Sequence, residues 1–137
     1  GLARAPFLAS HSNCNAVYRH PRSLTDRQID CIITRGGLIG INLYRAFLGR
    51  PGSAGFAAAH RHIRHVLERG GEHVLALGSD FDGCELEPCF AGVEKLEAFQ
   101  DYLLANGMPQ EQADALFYKN AEKFFQTLLQ PQTDMLR

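Results

Sequence analysis

Three apolar runs in this 137-residue sequence each open into residues that can bind a metal, move a proton or hold an anion. Pro6-Phe7-Leu8-Ala9-Ser10 leads into His11-Ser12-Asn13, Leu38 to Leu43 into Tyr44-Arg45, and His73-Val74-Leu75-Ala76-Leu77 into Gly78-Ser79-Asp80-Phe81-Asp82-Gly83. His11, directly after an apolar run, can offer a neutral imidazole nitrogen to a metal while a second acceptor fixes its other nitrogen. The plainer alternative is a hydrogen-bonded structural histidine. Asp80 leaves its apolar run as a carboxylate that can bind a cation or act as base on a hydrolytic water; the alternative is a turn cap around Asp82-Gly83. Ser79 to Gly83 lacks the further acidic positions and the closing Glu of a calcium loop.

Arg19, His20 and Arg22 cluster after His11, stiffened by Pro21. An arginine fork suits a carboxylate, so one of the two can clamp an anionic substrate end, unless the cluster is only a solvated surface. His60, His62 and His65 resemble a metal set by composition, but on a helix His60 and His62 point about 200° apart. Only His62 and His65 share a face, and the expectation is a surface histidine patch outside the site. Cys84 and Cys89 are compatible with a disulfide or a metal pair and specific for neither.

The elements that must position these residues follow a β/α rhythm. The three runs are apolar nearly throughout, as parallel strands buried on both faces are. They start about 32 and 35 residues apart, close to the ~30 residues of a strand–helix–strand unit. Between the first two, Thr25-Asp26-Arg27-Gln28 predicts a capping box, flanked by Leu24 and Ile29 as a staple. Ile29, Ile32 and Ile33 form the inner face of that helix, and Gly36-Gly37 ends it. A second helix is expected from near Ser53, with Phe56, Ala59, Ile63, Val66 and Leu67 inward, stopping at Gly70-Gly71. Leu96, Phe99 and Leu103 mark a third, ending at Asn106-Gly107. Pro109 at the first helical position starts a fourth with Ala113, Leu116 and Phe117 inward. A last stretch gathers Ala121, Phe124, Phe125 and Leu128. The long segment from Phe81 to Ala91 is of the kind that carries function.

With 14 basic and 15 acidic residues well mixed, the net charge of −1 gives no footprint for nucleic acid. No apolar run approaches the ~18 residues of a membrane span, and no signal-peptide core is seen at the start. Cys14, Cys31, Cys84 and Cys89 contain no Cys-x-x-Cys pair and read as free thiols of a reducing, cytoplasmic compartment. The length alone favours a complete doubly wound sheet of about five strands, because a closed (β/α)₈ barrel takes about 250 residues. A flavodoxin-like binding domain, however, needs a glycine-rich phosphate loop after the first strand, and Ser10 to Asn15 has no glycine.

Taken in order, Ser-His-Ser-Asn at 10–13, His-Pro-Arg at 20–22, Leu-Thr-Asp at 24–26, Gly-Gly-Leu-Ile-Gly-Ile-Asn at 36–42, His-Ile at 62–63, Gly-Ser-Asp-Phe-Asp-Gly at 78–83 and Asn120 resemble the membrane dipeptidase (renal dipeptidase) family of zinc metallopeptidases. The resemblance spans nearly the whole chain. It implies an α/β fold: the C-terminal part of a (β/α)₈ TIM-type barrel, about three β/α units plus closing helices, with residues 1–137 as one segment of that domain. It implies a two-zinc site that hydrolyses dipeptides, with His11 a zinc ligand, Asp80 engaging the metal and its water and assisting proton transfer, Arg22 holding the dipeptide carboxylate and Tyr44 lining the pocket.

The family's His-x-Asp, bridging glutamate and middle-strand histidines have no counterpart in these residues, and Ser23 replaces the usual Asn after Pro-Arg. One His and one Asp fall short of the three protein ligands a catalytic zinc takes, so the isolated chain is expected to be inactive. The rival expectation is a non-catalytic barrel segment acting as an interaction or assembly module through an open strand edge. The expected partners are a dipeptide substrate, no nucleic acid and no membrane, with a homo-oligomer compatible.

Overall fold

The computed structural model describes residues 8–9, 12–43, 48–49, 55–78 and 94–129. The chain forms β1 (Leu8–Ala9), α1 (Asp26–Arg35), β2 (Leu38–Ile41), α2 (Phe56–Glu68), β3 (Leu75–Leu77), α3 (Glu94–Ala105), α4 (Gln110–Asp114), a π-helical turn (Ala115–Lys119) and α5 (Asn120–Leu129). The sheet runs β1-β2-β3 with both pairs parallel, Leu8 opposite Leu38 and Ile39 opposite Leu75. α1 and α2 are thus crossover helices, the connection that parallel neighbours require.

The capping box forms as its residue types dictate. Thr25 Oγ1 accepts from the Gln28 N–H at 3.2 Å, and Gln28 Oε1 accepts from the Thr25 N–H at 2.9 Å. Asp26 and Arg35 sit at the ends of α1 that suit their charges. Gly36, at φ 66°, ends the helix in the left-handed region, and the Gly37 N–H reaches back to Ile32 O at 3.0 Å. Gly71, after α2, is needed for a different reason: a Cβ there would collide with Val66 Cγ1 and come within 2.9 Å of Val66 O.

Every residue of β2 is buried, as expected of a central parallel strand. Ile29 and Ile32 from α1, Ile39 and Ile41 from β2, Ala59, Ile63 and Val66 from α2, and Leu75 from β3 build one core. α3 joins it through Phe99 and Leu103, with the Phe99 ring 5.1 Å from that of Phe56. Beyond β3 the described chain is helical. The π turn takes up an extra residue inside what is otherwise a continuous helix, so Ala113 before it, Leu116 within it and Asn120 and Phe124 after it all face inward. Asn120 Nδ2 donates to Glu72 O and Leu75 O, both at 2.8 Å, and clasps α5 to the start of β3.

The elements differ from expectation mainly at their edges. β2 stops at Ile41 and β3 starts at Leu75, because His73 and Val74 lie in a turn closed by the Val74 N–H to Gly71 O at 3.1 Å. Val74 O nonetheless accepts from the Ile39 N–H, so the ladder begins before the strand does. α2 begins at Phe56 behind Gly55; Ser53 lies outside the described residues. Pro109 is the N-cap of α4, one position ahead of the first helical residue, with extended ψ 149°. Of the last apolar group, Phe124 and Ala121 pack inward, but Phe125 and Leu128 are about half exposed, since α5 presents only one stripe to the sheet.

Candidate functional site

His11, Tyr44 and Asp80 lie outside the described residues, as do Cys84, Cys89 and the 81–91 segment. Their neighbours on the chain are described. The Ser12 N–H donates to Gly40 O at 2.9 Å and the Gly78 N–H to Ile41 O at 2.9 Å. The ladder therefore continues past the ends of β1 and β3 as the chain leaves the C-terminal edge of the sheet. In parallel β/α proteins that edge is where ligands bind.

Asn13 closes this edge. Its Oδ1 accepts from the Asn42 N–H and its Nδ2 donates to Asn42 O, each at 2.8 Å. Both residues are buried, and the side-chain amide takes the place of a neighbouring strand for a backbone that water does not reach. The loop after β1 is thereby fastened to the loop after β2.

From Asn13 the chain makes a closed excursion. The Leu24 N–H returns to Asn13 O at 2.7 Å and the Asn15 N–H to Leu24 O at 2.8 Å. At the far side, His20 N–H donates to Asn15 Oδ1 at 3.1 Å, His20 Nδ1 accepts from the Arg22 N–H at 3.1 Å, and His20 O accepts from the Ser23 N–H at 3.0 Å. Arg22 in this tight turn is exposed.

His62 corrects the sequence reading. It is not part of a surface patch: it is fully buried, with 0% of its surface exposed. Nδ1 accepts from the Cys14 N–H at 3.0 Å, so the ring proton sits on Nε2, which donates to Leu48 O at 3.0 Å. Burial pushes its pKa down to about 4 against the opposing effect of the Leu48 carbonyl. The sequence did carry a signal for this, because Ala59, His62, Ile63 and Val66 have the i, i+3, i+4, i+7 spacing of an inward face. Burial, assisted by the Asp26 charge, likewise raises the Cys14 thiol to about 12, which makes it unreactive.

The other two histidines are partly buried. His65 Nε2 is 2.6 Å from Asp26 Oδ1, and Arg69 joins Asp26 to Asp30, tying α1 to α2 at the surface. His60 meets the edge of the Tyr102 ring. Among the described residues no three His, Cys, Asp or Glu side chains come together as a metal site, and no helix is long and apolar enough to cross a membrane. Cys14 and Cys31 are free thiols.

A parallel sheet with crossover helices, and polar loops fastened together at its C-terminal edge, define the α/β class in which hydrolases of many kinds build their sites. The comparison with known families is specific: the chain belongs to the membrane dipeptidase family, peptidase family M19, which it matches over residues 1–135. It is 37% identical over 122 residues to an uncharacterized protein of the pqqA 5' region in Klebsiella pneumoniae, covering 86% of this chain and 45% of that protein. It is 33% identical to an uncharacterized dipeptidase of Schizosaccharomyces pombe, covering 74% of this chain and 24% of the relative. Among solved structures, a Rhodobacter sphaeroides metallopeptidase liganded with a phosphinate mimic of the dipeptide L-Ala-D-Ala superposes with a TM-score of 0.85 at 34% identity, over 91% of this chain and 37% of that one. The chain thus spans less than half the length of these relatives.

Proposed function

We propose that these residues form part of a metal-dependent dipeptidase site, in which Arg22 binds the free carboxylate of a dipeptide, Tyr44 lines the pocket, and His11 and Asp80 act at the metal and the reacting water. The observation that carries this reading is the fastening of the two loops by Asn13 and Asn42 at the sheet edge: His11 precedes Asn13 and Tyr44 follows Asn42 by two residues in sequence, and Asp80 follows by two residues Gly78, whose N–H bonds Ile41 O at the same edge. Family membership supports it. The sheet is read as part of a (β/α)₈ barrel, consistent with three parallel strands in order and with the share of the relatives that this chain covers.

In the family reading, zinc supplies Lewis acidity and a low-pKa water. His11 and Asp80 are suitable zinc donors by chemistry, but two donors are fewer than a catalytic zinc takes from protein. No catalytic step is therefore assigned to zinc held by these residues alone, and they are expected to be inactive in isolation. What they contribute is recognition and proton handling. Arg22 offers a planar pair of N–H donors to a carboxylate, which favours dipeptides over longer peptides, and Asp80 moves a proton from water toward the leaving amine.

The test is an NMR titration of the isotope-labelled 137-residue chain with Ala-Ala and with the same dipeptide amidated at its C-terminus, beside a hydrolysis assay with zinc. The expected result is a response around Arg22 to the free acid alone, with no release of amino acids. An equal response to the amide, or none to either, removes the clamp. Hydrolysis above the zinc-only control overturns the expected inactivity.

A second reading, an assembly module, is favoured by one observation. Leu8 on the outer strand β1 is 43% exposed, and β1 pairs with β2 alone among the described strands. An apolar parallel edge of this kind invites pairing with another chain. A sedimentation profile showing only monomer over a wide concentration range would remove this reading.

A further inference from the structure

We propose that His62 is the positioning residue of the candidate site: a buried two-ended clamp that holds the loop bearing Arg22 and the segment following Tyr44 to the same helix. The inference rests on the dipeptidase reading for its functional meaning, but its geometry stands by itself.

One imidazole serves two segments. Through Nδ1 it accepts the Cys14 N–H at 3.0 Å, at the base of the excursion that carries Arg22, where Cys14 and Leu24 form a parallel bridge. Through Nε2 it donates to Leu48 O at 3.0 Å, four residues after Tyr44. A second contact doubles the first end, because Cys14 Sγ donates to His62 O at 3.4 Å. Asn13 fastens the first loop to the sheet edge as well, through the Asn42 backbone at 2.8 Å, six residues before Leu48 in sequence. The loop that carries Arg22 is thus held at two levels, by Asn13 at the sheet and by His62 from α2, and the same ring holds Leu48. A fully apolar residue would fill the same space in the core, but it would leave the Cys14 N–H and the Leu48 carbonyl without these bonds. The donor and acceptor ends are also not interchangeable, which makes the ring specific for one arrangement of the two loops. A recognition site needs that: a guanidinium and a pocket wall on separate loops select a short substrate only if the distance between them is fixed.

Two amide substitutions separate the ends. In His62→Asn the short side chain puts an amide oxygen near the Nδ1 position and keeps an acceptor for Cys14. In His62→Gln the longer one puts an amide NH₂ near Nε2 and keeps a donor for Leu48. Amide hydrogen exchange of the 137-residue chain is read at Cys14, Asn15 and Leu24 for the first loop and at Leu48 and Gly49 for the second. The expected result is crossed. His62→Asn speeds exchange about tenfold at 48–49 and leaves 14–24 near wild type, whereas His62→Gln does the reverse, with 94–129 unchanged in both. Two variants that loosen both loops alike, or neither loop, overturn the clamp and leave His62 as core filling.

Should either variant fail to fold, wild type answers the question by itself. A through-hydrogen-bond ¹⁵N–¹⁵N coupling between the Cys14 amide and His62 Nδ1, with the proton on Nε2, supports the clamp, and a proton on Nδ1 overturns it. None of these readouts uses turnover. If the crossed pattern appears while the dipeptide titration fails, the clamp stands and the dipeptidase reading falls.

Discussion

Asn13 and Asn42 face each other across the C-terminal edge of the sheet in a reciprocal pair, the side chain of one satisfying both backbone groups of the other at 2.8 Å. The pair is 29 residues apart in sequence and buried. Asn13→Ala removes donor and acceptor together and with them two buried hydrogen bonds to the Asn42 backbone, an expected loss of about 2–4 kcal/mol. Asn13→Asp keeps the acceptor for the Asn42 N–H but turns a carboxylate oxygen toward the Asn42 carbonyl, so it should be at least as destabilising at neutral pH. Urea midpoints of the two variants at pH 7 check the order; an Asp variant as stable as wild type would show that the pair does not hold the edge.

The Thr25–Gln28 capping box makes a smaller and more local prediction. Thr25→Ala loses the acceptor for the Gln28 N–H and should cost about 1 kcal/mol, whereas Thr25→Ser keeps the hydroxyl and should cost little. The two bonds are exposed, so no buried group is stranded in either variant. Denaturant titration of the pair against wild type measures the difference.

What was legible in the sequence and what was not divides along physical lines. Local rules spoke for themselves: the capping box, the Gly36 stop and the inner stripes of α1 and α2 depend on residues within a turn or two of each other. The β/α order was legible from apolar runs at regular spacing, and the family from motifs read in sequence. Long-range polar partners were not. His62 looked like surface because histidine is polar, and only the segments carrying Cys14 and Leu48, folded over it, supply the bonds that make its burial tolerable. Asn13 stood inside a motif but showed no role, since its partner is the Asn42 backbone and a backbone group leaves no mark in composition. Phe125 and Leu128 misled in the opposite direction, because a run of apolar residues does not say how wide a stripe the neighbouring sheet can cover.

Two glycines that look alike in sequence should respond differently to the same substitution. Gly36 has φ 66° and nothing near the Cβ position, so Gly36→Ala meets only backbone strain, expected at about 1 kcal/mol. Gly71 sits against Val66, with Ile33 Cδ1 3.3 Å from the position a Cβ would take, so Gly71→Ala must push apart α2 and the turn into β3. Overpacking of that kind costs about 1–3 kcal/mol. Melting temperatures of the two alanine variants should rank Gly71→Ala below Gly36→Ala; the reverse order would mean that the turn before β3 yields easily.

Acid should weaken the fold in two stages, with His62 setting the first. Its pKa is lowered from 6.5 to about 4 by burial, so above pH 6.5 the ring is neutral in both folded and unfolded chains and its contribution is fully present. As pH falls from 6.5 toward 4 the unfolded chain takes up a proton that the folded chain refuses, and stability drops by about 3 kcal/mol in total. Asp30 acts in a lower window. Its carboxyl is held below 3.8 chiefly by the hydrogen bond from Arg69, so its share is present at neutral pH and disappears only as pH falls below 3.8. Urea unfolding measured at pH 8, 6, 5 and 4 should therefore show a midpoint that is flat down to pH 7 and then falls. In His62→Asn, which has no proton to bind at that position, the fall between pH 6.5 and 4 should be shallower even though the variant is less stable at pH 8. An unchanged slope would assign the acid sensitivity to groups other than His62.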